Sequence, residues 1–142
     1  MEQSVYLIKP EGMLFAGRIR KMIEGAGLTI VYFHHVMINE AALIRLYPNL
    51  SDEIWQATVR HLNNRVCEIG MVEGETAIAR LVAVCGESTN PSLCKDKTIR
   101  RIFSCYPAIR LSSGGFYFRN AIHRSKDHEE FLRDQQIYEK SK

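Results

Sequence analysis

The side chains best suited to chemistry in this 142-residue chain are five histidines and four cysteines. A neutral imidazole can attack an electrophile, move a proton or ligate a metal. His34 and His35 are adjacent, His61 and His128 stand apart, and His123 falls in the string Asn120-Ala121-Ile122-His123-Arg124-Ser125. The His34-His35 pair lacks a third ligand and reads as structural. His61 and His128 read as surface residues. Cys67, Cys85, Cys94 and Cys105 include no CxxC pair and no zinc-finger spacing to histidine. They read as small core residues of a reduced intracellular protein. Taken singly, the other polar candidates have ordinary explanations too. Lys9 ends a strand, Arg100-Arg101 is a solvated basic pair, and Thr89-Asn90-Pro91 forms a turn. Asn120 is a turn residue, Tyr47 packs in a core, and an isolated His123 is structural or exposed.

The elements that must position these residues follow from periodicity. Residues 5–8 form a short β-rich run stopped by Lys9-Pro10-Glu11-Gly12. Ile19, Met22, Ile23 and Ala26 recur at helical spacing, with Gly27 as the stop. Residues 28–37 are β-branched and aromatic, a strand. Asn39 caps a short helix that runs to about Tyr47 and is stopped by Pro48, and Ser51 opens a second helix through Ile54, Trp55, Val59 and Leu62. Residues 66–72 read as a strand, Thr76 as a cap, and Ala77–Cys85 as a helix ending at Gly86. Residues 88–99 read as irregular. A short apolar strand at 120–123 ends on His123, a helix covers 127–136, and 139–142 form a polar tail. Without the central helical hairpin the order is βαββαβ, the pattern of an α+β ferredoxin-like fold: a four-stranded antiparallel sheet covered by helices.

Composition bounds the class. Hydrophobic residues make up 46% and charged residues 25%, which is globular rather than low-complexity. The length fits one domain over 1–142. With 19 Lys+Arg against 16 Asp+Glu, the formal charge of +3 is too small to argue for duplex DNA, and no aromatic ladder supports single-strand binding. A cationic pocket for a phosphate ligand fits that charge equally well. The start has no signal-peptide pattern, and the apolar runs are too short to span a bilayer, so a cytoplasmic protein without membrane contact is expected.

Several short strings coincide in order: Leu7-Ile8-Lys9-Pro10-Glu11-Gly12, Val72-Glu73-Gly74, Gly86-Glu87-Ser88-Thr89-Asn90-Pro91, Thr98-Ile99-Arg100 and Arg119-Asn120-Ala121-Ile122-His123-Arg124-Ser125. With these the chain resembles the nucleoside diphosphate kinase family from about Val5 to its last helix. The resemblance implies a ping-pong phosphotransferase in which His123 takes the γ-phosphate of a nucleoside triphosphate and passes it to a nucleoside diphosphate. An imidazole with the ordinary pKa of roughly 6.5 has an unprotonated nitrogen near pH 7, as attack on phosphorus requires. By the same resemblance Lys9 and Asn120 hold the ribose, with Lys9 also near the transferred phosphate. Thr89 and Arg100 contact the phosphates, and Tyr47 lies beside the histidine. It further implies Mg²⁺ carried by the nucleotide, no protein metal site, and a homo-oligomer.

The chain also departs from the family. Glycine and aspartate after the histidine are replaced by Arg124 and Lys126. A phosphate-binding arginine falls on Val82, with Arg80 about 200° away around the helix, and another falls on Asp52 or Glu53, where an acid would repel phosphate. The connection from Arg100 to Asn120 is about twice the family's length, an extended loop or hairpin over 101–119 that brings Arg101, Arg110 and Arg119 as replacements. Ile54 or Trp55 are candidates for a base-stacking wall. Asp134 and Glu130, near the position of a histidine-orienting carboxylate, read as solvated helix charges. Two further readings follow: the same chemistry on an altered nucleotide, metabolite or protein acceptor, or a catalytically weakened nucleotide-binding or scaffold module.

Overall fold

A computed structural model describes residues 1–104 and 106–141, so Cys105 and Lys142, with the readings made for them, lie outside the described residues. Strands β1 (Glu2–Ile8), β2 (Thr29–Met37), β3 (Val66–Gly74) and β6 (Ile122–Arg124) form one antiparallel sheet in the order β2-β3-β1-β6. The helices are α1 (Ala16–Gly25), α2 (Glu40–Leu46), α3 (Asp52–Leu62), α4 (Ala77–Cys85), α5 (Ile99–Phe103) and α6 (His128–Ser141). Short 3-10 turns occupy Pro10–Phe15 and Pro91–Leu93, and a separate two-stranded ribbon pairs β4 (Ile109–Arg110) with β5 (Phe116–Tyr117). This is the ferredoxin-like α+β arrangement. No helix among the described residues is long and apolar enough to cross a membrane.

The central strand is buried on both faces, so its alternation splits the core in two. Tyr6 and Ile8 pack with Ile19, Ile23, Leu81, Cys85 and Ile122 under α1 and α4. Val5 and Leu7 pack with Leu43, Leu46, Leu62, Phe131 and Ile137 under α2, α3 and α6. Because Leu7 pairs with His123, the histidine faces the α2/α3/α6 layer, while Ile122 packs in the α1/α4 cluster.

Local signals set most boundaries. The Asn39 side chain accepts from the Ala42 N–H at 2.9 Å and the Ser51 hydroxyl from the Ile54 N–H at 3.4 Å, as the capping pattern predicts. Thr76 is a correction. It adopts a left-handed φ of 47° and makes no cap hydrogen bond with its side chain. The carboxylate of Glu2 instead accepts from the Ile78 N–H at 2.8 Å, placing negative charge at the positive end of α4. The stretch read as irregular holds the Pro91–Leu93 turn and the start of α5, capped by Thr98. His34 and His35 lie within β2, where His34 meets the Ser141 hydroxyl at 2.6 Å and His35 approaches Glu68 at 3.4 Å. Cys67 and Cys85 are buried, and burial pushes both thiols up to about 12, which leaves them inert at neutral pH.

Tyr6 shows how closely the sheet is fitted. Its ring crosses Gly70, its partner on β3, and its hydroxyl donates to the Glu68 carboxylate at 2.9 Å. A Cβ at Gly70 would stand 2.3 Å from the ring, whereas one at Gly25, near the end of α1, meets nothing within 4 Å. Gly70→Ala is expected to cost about 1–3 kcal/mol by overpacking. Gly25→Ala is expected to be neutral or stabilising by up to about 1 kcal/mol. Urea denaturation midpoints of the two variants check the contrast.

Candidate active site

The site is assembled where β1 ends and β6 begins. The Lys9 N–H donates to the Ala121 carbonyl at 2.8 Å, and the Ala121 N–H donates to the Glu11 carboxylate at 3.0 Å. These bonds place the Lys9 ammonium 2.8 Å from the Asn120 side-chain oxygen. The Asn120 amide in turn donates to the Thr89 carbonyl at 3.0 Å, so it bridges the Thr-Asn-Pro turn to β1. The Thr89 side chain remains exposed.

His123 is buried, and its orientation is set from two sides. Its Nε2 lies 2.9 Å from Asp134 Oδ2, and the Ser125 hydroxyl donates to that same oxygen at 2.9 Å. Tyr47, at the end of α2, packs edge-on against the imidazole with ring centroids 5.2 Å apart. The Lys9 ammonium lies 5.7 Å from the Tyr47 ring centre. The Tyr47 hydroxyl is buried without a partner among the described residues, and burial raises its pKa. A carboxylate on Nε2 favours the proton there, which leaves the lone pair on Nδ1. His123, Glu130 and Asp134 each bring one potential metal-ligating atom within 4.8 Å of the others. The hydrogen bond between His123 and Asp134 already holds two of these atoms at 2.9 Å.

Asp134 is thus no solvated charge: it is fully buried. Phe131 and Ile137 flank it at helical spacing on the same buried face of α6, the signal that locates it. Glu130, half-buried, stands 3.9 Å from the imidazole. His61 is likewise buried rather than on the surface. Its Nε2 meets Glu11 at 2.6 Å and its Nδ1 the Tyr117 hydroxyl at 2.7 Å. Burial lowers its pKa despite the adjacent Glu11, which keeps the ring neutral near pH 7.

Cations outnumber carboxylates in the site, where Glu130 is the acid that lines the cleft among the described residues. Arg100 is buried, and its guanidinium donates to the carbonyls of Ile122 (2.9 Å) and Ser88 (2.9 Å), with Gly86 at 3.4 Å. Arg124 donates to the carbonyls of Gly86 and Glu87, both at 3.2 Å, and its Nε is buried without a partner among the described residues. Two guanidiniums therefore converge on one carbonyl, with no carboxylate ion-paired to either among the described residues. Burial, reinforced by Arg124, lowers the Arg100 pKa. Lys9, Arg100, Arg124 and Lys126 all line one cleft of about 320 Å³ that also holds His123, Tyr47, Thr89 and Asn120. A concave site with surplus cations and a histidine at its wall suits an anionic, phosphate-bearing ligand.

Arg80, and the replacements Arg101, Arg110 and Arg119 suggested by the sequence, all go elsewhere. Arg80 bonds the Thr76 hydroxyl and the Ala26 carbonyl, and Arg101 bonds Ser92 and approaches Asp96. Arg110 and Arg119 line a neighbouring cavity. Arg124, at the position of a family glycine, is the arginine that sequence reasoning missed. Glu53 does not face the cleft as a repelling acid either. Its carboxylate accepts from the Ser112 and Ser113 N–H groups and the Ser112 hydroxyl, which hold the ribbon turn and lower its pKa. The ribbon then presents Phe116, Tyr117 and Phe118 to the cleft opposite Ile54 and Leu50, while Trp55 packs on the α2/α3 core.

The sequence pattern described as nucleoside diphosphate kinase matches residues 2–142. The chain belongs to the nucleoside diphosphate kinase family. The nucleoside diphosphate kinase of Borreliella burgdorferi is 25% identical, covering 97% of this chain and 87% of that protein. That of Clostridium perfringens (strain ATCC 13124) is 30% identical over 73% of this chain and 74% of that one. Among solved structures, a transition state mimic of the Borrelia burgdorferi enzyme with bound vanadate and ADP matches with a TM-score of 0.82 at 23% identity, covering 96% of this chain and 86% of that one. The Encephalitozoon cuniculi enzyme matches with a TM-score of 0.82 at 22% identity, covering 97% and 88% of the two chains. The protein is therefore a nucleoside diphosphate kinase-like phosphotransferase.

Lys9 supplies a pH test of the cleft. Burial, opposed by Glu11 and reinforced by Arg100, brings its pKa down from 10.5 to about 8. Between those two values the unfolded chain holds a proton that the native chain has lost, so stability of the ligand-free protein rises with pH across the window. Anion binding has the opposite sign, because a bound phosphate favours the charged ammonium. Affinity for ADP is expected to fall as pH rises through about 8, and Lys9→Met is expected to bind more weakly with that fall removed. Titration calorimetry over a pH series measures both.

Proposed function

We propose that this chain moves the γ-phosphate of a nucleoside triphosphate onto a nucleoside diphosphate by a ping-pong route through His123. The observation that carries the reading is the buried Asp134–His123 hydrogen bond at the wall of a cation-rich cleft. Nδ1 attacks the γ-phosphorus in line, the N–P bond forms, and the β–γ bridging oxygen departs with the diphosphate. The Nε2 proton stays in the bond to Asp134, so the phosphorylated ring is stabilised by a neighbouring carboxylate. The second diphosphate then attacks the phosphohistidine, and the steps reverse.

The charges of the cleft serve a reaction that depends on positioning and neutralisation. Lys9 and Asn120 are read as ribose contacts, Thr89 and Arg100 as phosphate contacts, and Tyr47 as the group that braces the imidazole. Most N–H donors of Arg100 already hold carbonyls, so its part is charge and support of the Gly86–Ser88 turn. Arg124 spends only Nη2 on carbonyls, which makes it the better hydrogen-bond donor to a phosphate. Mg²⁺ belongs to the substrate in this scheme, carried on the nucleotide phosphates. A homo-oligomer also fits, since the edge strand β2 exposes Val31, Tyr32, Phe33 and Met37.

The aromatic ribbon favours a second, narrower reading: that Phe116 and Phe118 alter which base or acceptor is preferred. Comparable efficiency across a panel of diphosphates would remove it.

The deciding experiment mixes the protein with γ-³²P-ATP and Mg²⁺ and scores acid-labile, alkali-stable label. Wild type is expected to be labelled and His123→Ala unlabelled with its fold intact; label retained on that variant would overturn the mechanism. Asp134→Ala is expected to slow labelling by about 10²-fold through loss of ring orientation, with ADP affinity little changed.

A further inference from the structure

Back to back with the catalytic cleft lies a larger cavity of about 510 Å³, roofed by the ribbon and walled by α3 and the Pro10–Glu11 turn. It gathers Arg60 from α3, Arg65 from the turn before β3, Arg110 from β4 and Arg119 from the segment before β6. None of these four guanidiniums is ion-paired to a carboxylate among the described residues. The two carboxylates on the wall are already engaged: Glu53 by the ribbon serines, Glu11 by His61 and the Ala121 N–H. Four cations against two acids leave the cavity net positive.

Arg119 shows most directly that the wall is incomplete. Its Nε is buried without a partner among the described residues, and its guanidinium lies 4.5 Å from the Tyr106 ring centre. Stacking on that ring orients the planar fork, the geometry that grips phosphate oxygens in pairs. Tyr106, Ile109 and Leu111 add an aromatic and apolar side to the same space. No residue lines both cavities, and the Glu11–His61–Tyr117 chain of hydrogen bonds stands between them.

We propose that this cavity is a second ligand site, selective for a small polyanion that joins phosphate groups to a planar or apolar body, the class to which nucleotides belong. Guanidiniums drawn from four chain segments into one concavity repel one another, and a multiply charged anion relieves that repulsion while Tyr106 and Ile109 cover its less polar part. The site is independent of the His123 reaction. The ribbon spans both cavities, because Tyr117 touches the cleft while Ile109 and Arg110 face the second site.

The test counts bound nucleotide. Equilibrium dialysis with ADP is expected to give two ADP per native chain, with inorganic tripolyphosphate competing at the site outside the cleft. In Arg65→Gln/Arg110→Gln, two exposed positions away from the catalytic cleft, ADP at that site is expected to bind at least about tenfold more weakly. Phosphate labelling at His123 is expected to stay at the wild-type level, which also reports a folded chain. One ADP per native chain overturns the proposal, as do two sites of unchanged affinity in the variant or a second site indifferent to tripolyphosphate. A variant that changes oligomer mass by light scattering, with one ADP per native chain, marks the cavity as a contact between copies and overturns it too.

Discussion

Ala121 holds a φ of 71°, a backbone conformation that costs alanine roughly 1–3 kcal/mol, and the groups around His123 are arranged on that point. The turn is retained because its neighbours satisfy it completely. Its carbonyl takes the Lys9 N–H, its N–H goes to Glu11, and the Ile122 N–H returns to the Asn120 carbonyl at 2.9 Å. Gly12 is required in the same knot, since a Cβ there would stand 2.8 Å from the Ala121 oxygen. The knot couples the end of the central strand to the start of the edge strand. It therefore brings an ammonium, an amide and an imidazole together from positions far apart in sequence.

Around that knot, charges divide into two kinds by how they are satisfied. Glu68 is buried, yet it takes the Tyr6 hydroxyl and the Arg20 guanidinium, so it belongs to the scaffold. Asp134 spends one oxygen on His123 and Ser125, which makes it a positioning group. Lys9, Arg100 and Arg124 are buried with carbonyl or amide partners, and none is ion-paired to a carboxylate among the described residues. Burying cations in this way is costly without an anion. The depressed pKa of Lys9 is one expression of that cost. A phosphate-bearing ligand in the cleft would offset that cost, and under the proposed transfer the same charges would serve both affinity and reaction.

Local chemistry was readable from sequence, and long-range consequences were not. Asn39 and Ser51 act within three residues of themselves, so their capping roles follow from spacing alone. The alternation in β1 places Leu7 and Tyr6 in different cores for the same reason. Lys9, Thr89, Arg100, Asn120 and His123, all within the family strings, line one cleft with Tyr47, which only the wider resemblance suggested. What escaped was whatever depended on a partner from elsewhere. Thr76 stands where a cap is expected, but Glu2 arrives from β1 and makes the bond. Asp134 resembles a solvated helix acid until β6 is laid beside α6. Glu53 resembles an acid facing phosphate until the inserted ribbon folds back onto it.

The ribbon is where the departures from the family meet. An insertion of this kind adds loop entropy and exposed aromatic surface, and it persists only if the fold holds it down. Glu53 does so from α3 by accepting three hydrogen-bond donors at the ribbon turn, and His61 does so from the end of the same helix through Tyr117. Glu53, one of the two acids that the resemblance sets at a family arginine, therefore holds the ribbon rather than facing the cleft. Arg124 meanwhile brings a guanidinium to the cleft from the residue after the histidine. The cleft is thus cationic without an arginine from α4, and Phe116, Tyr117 and Phe118 line it beside those charges.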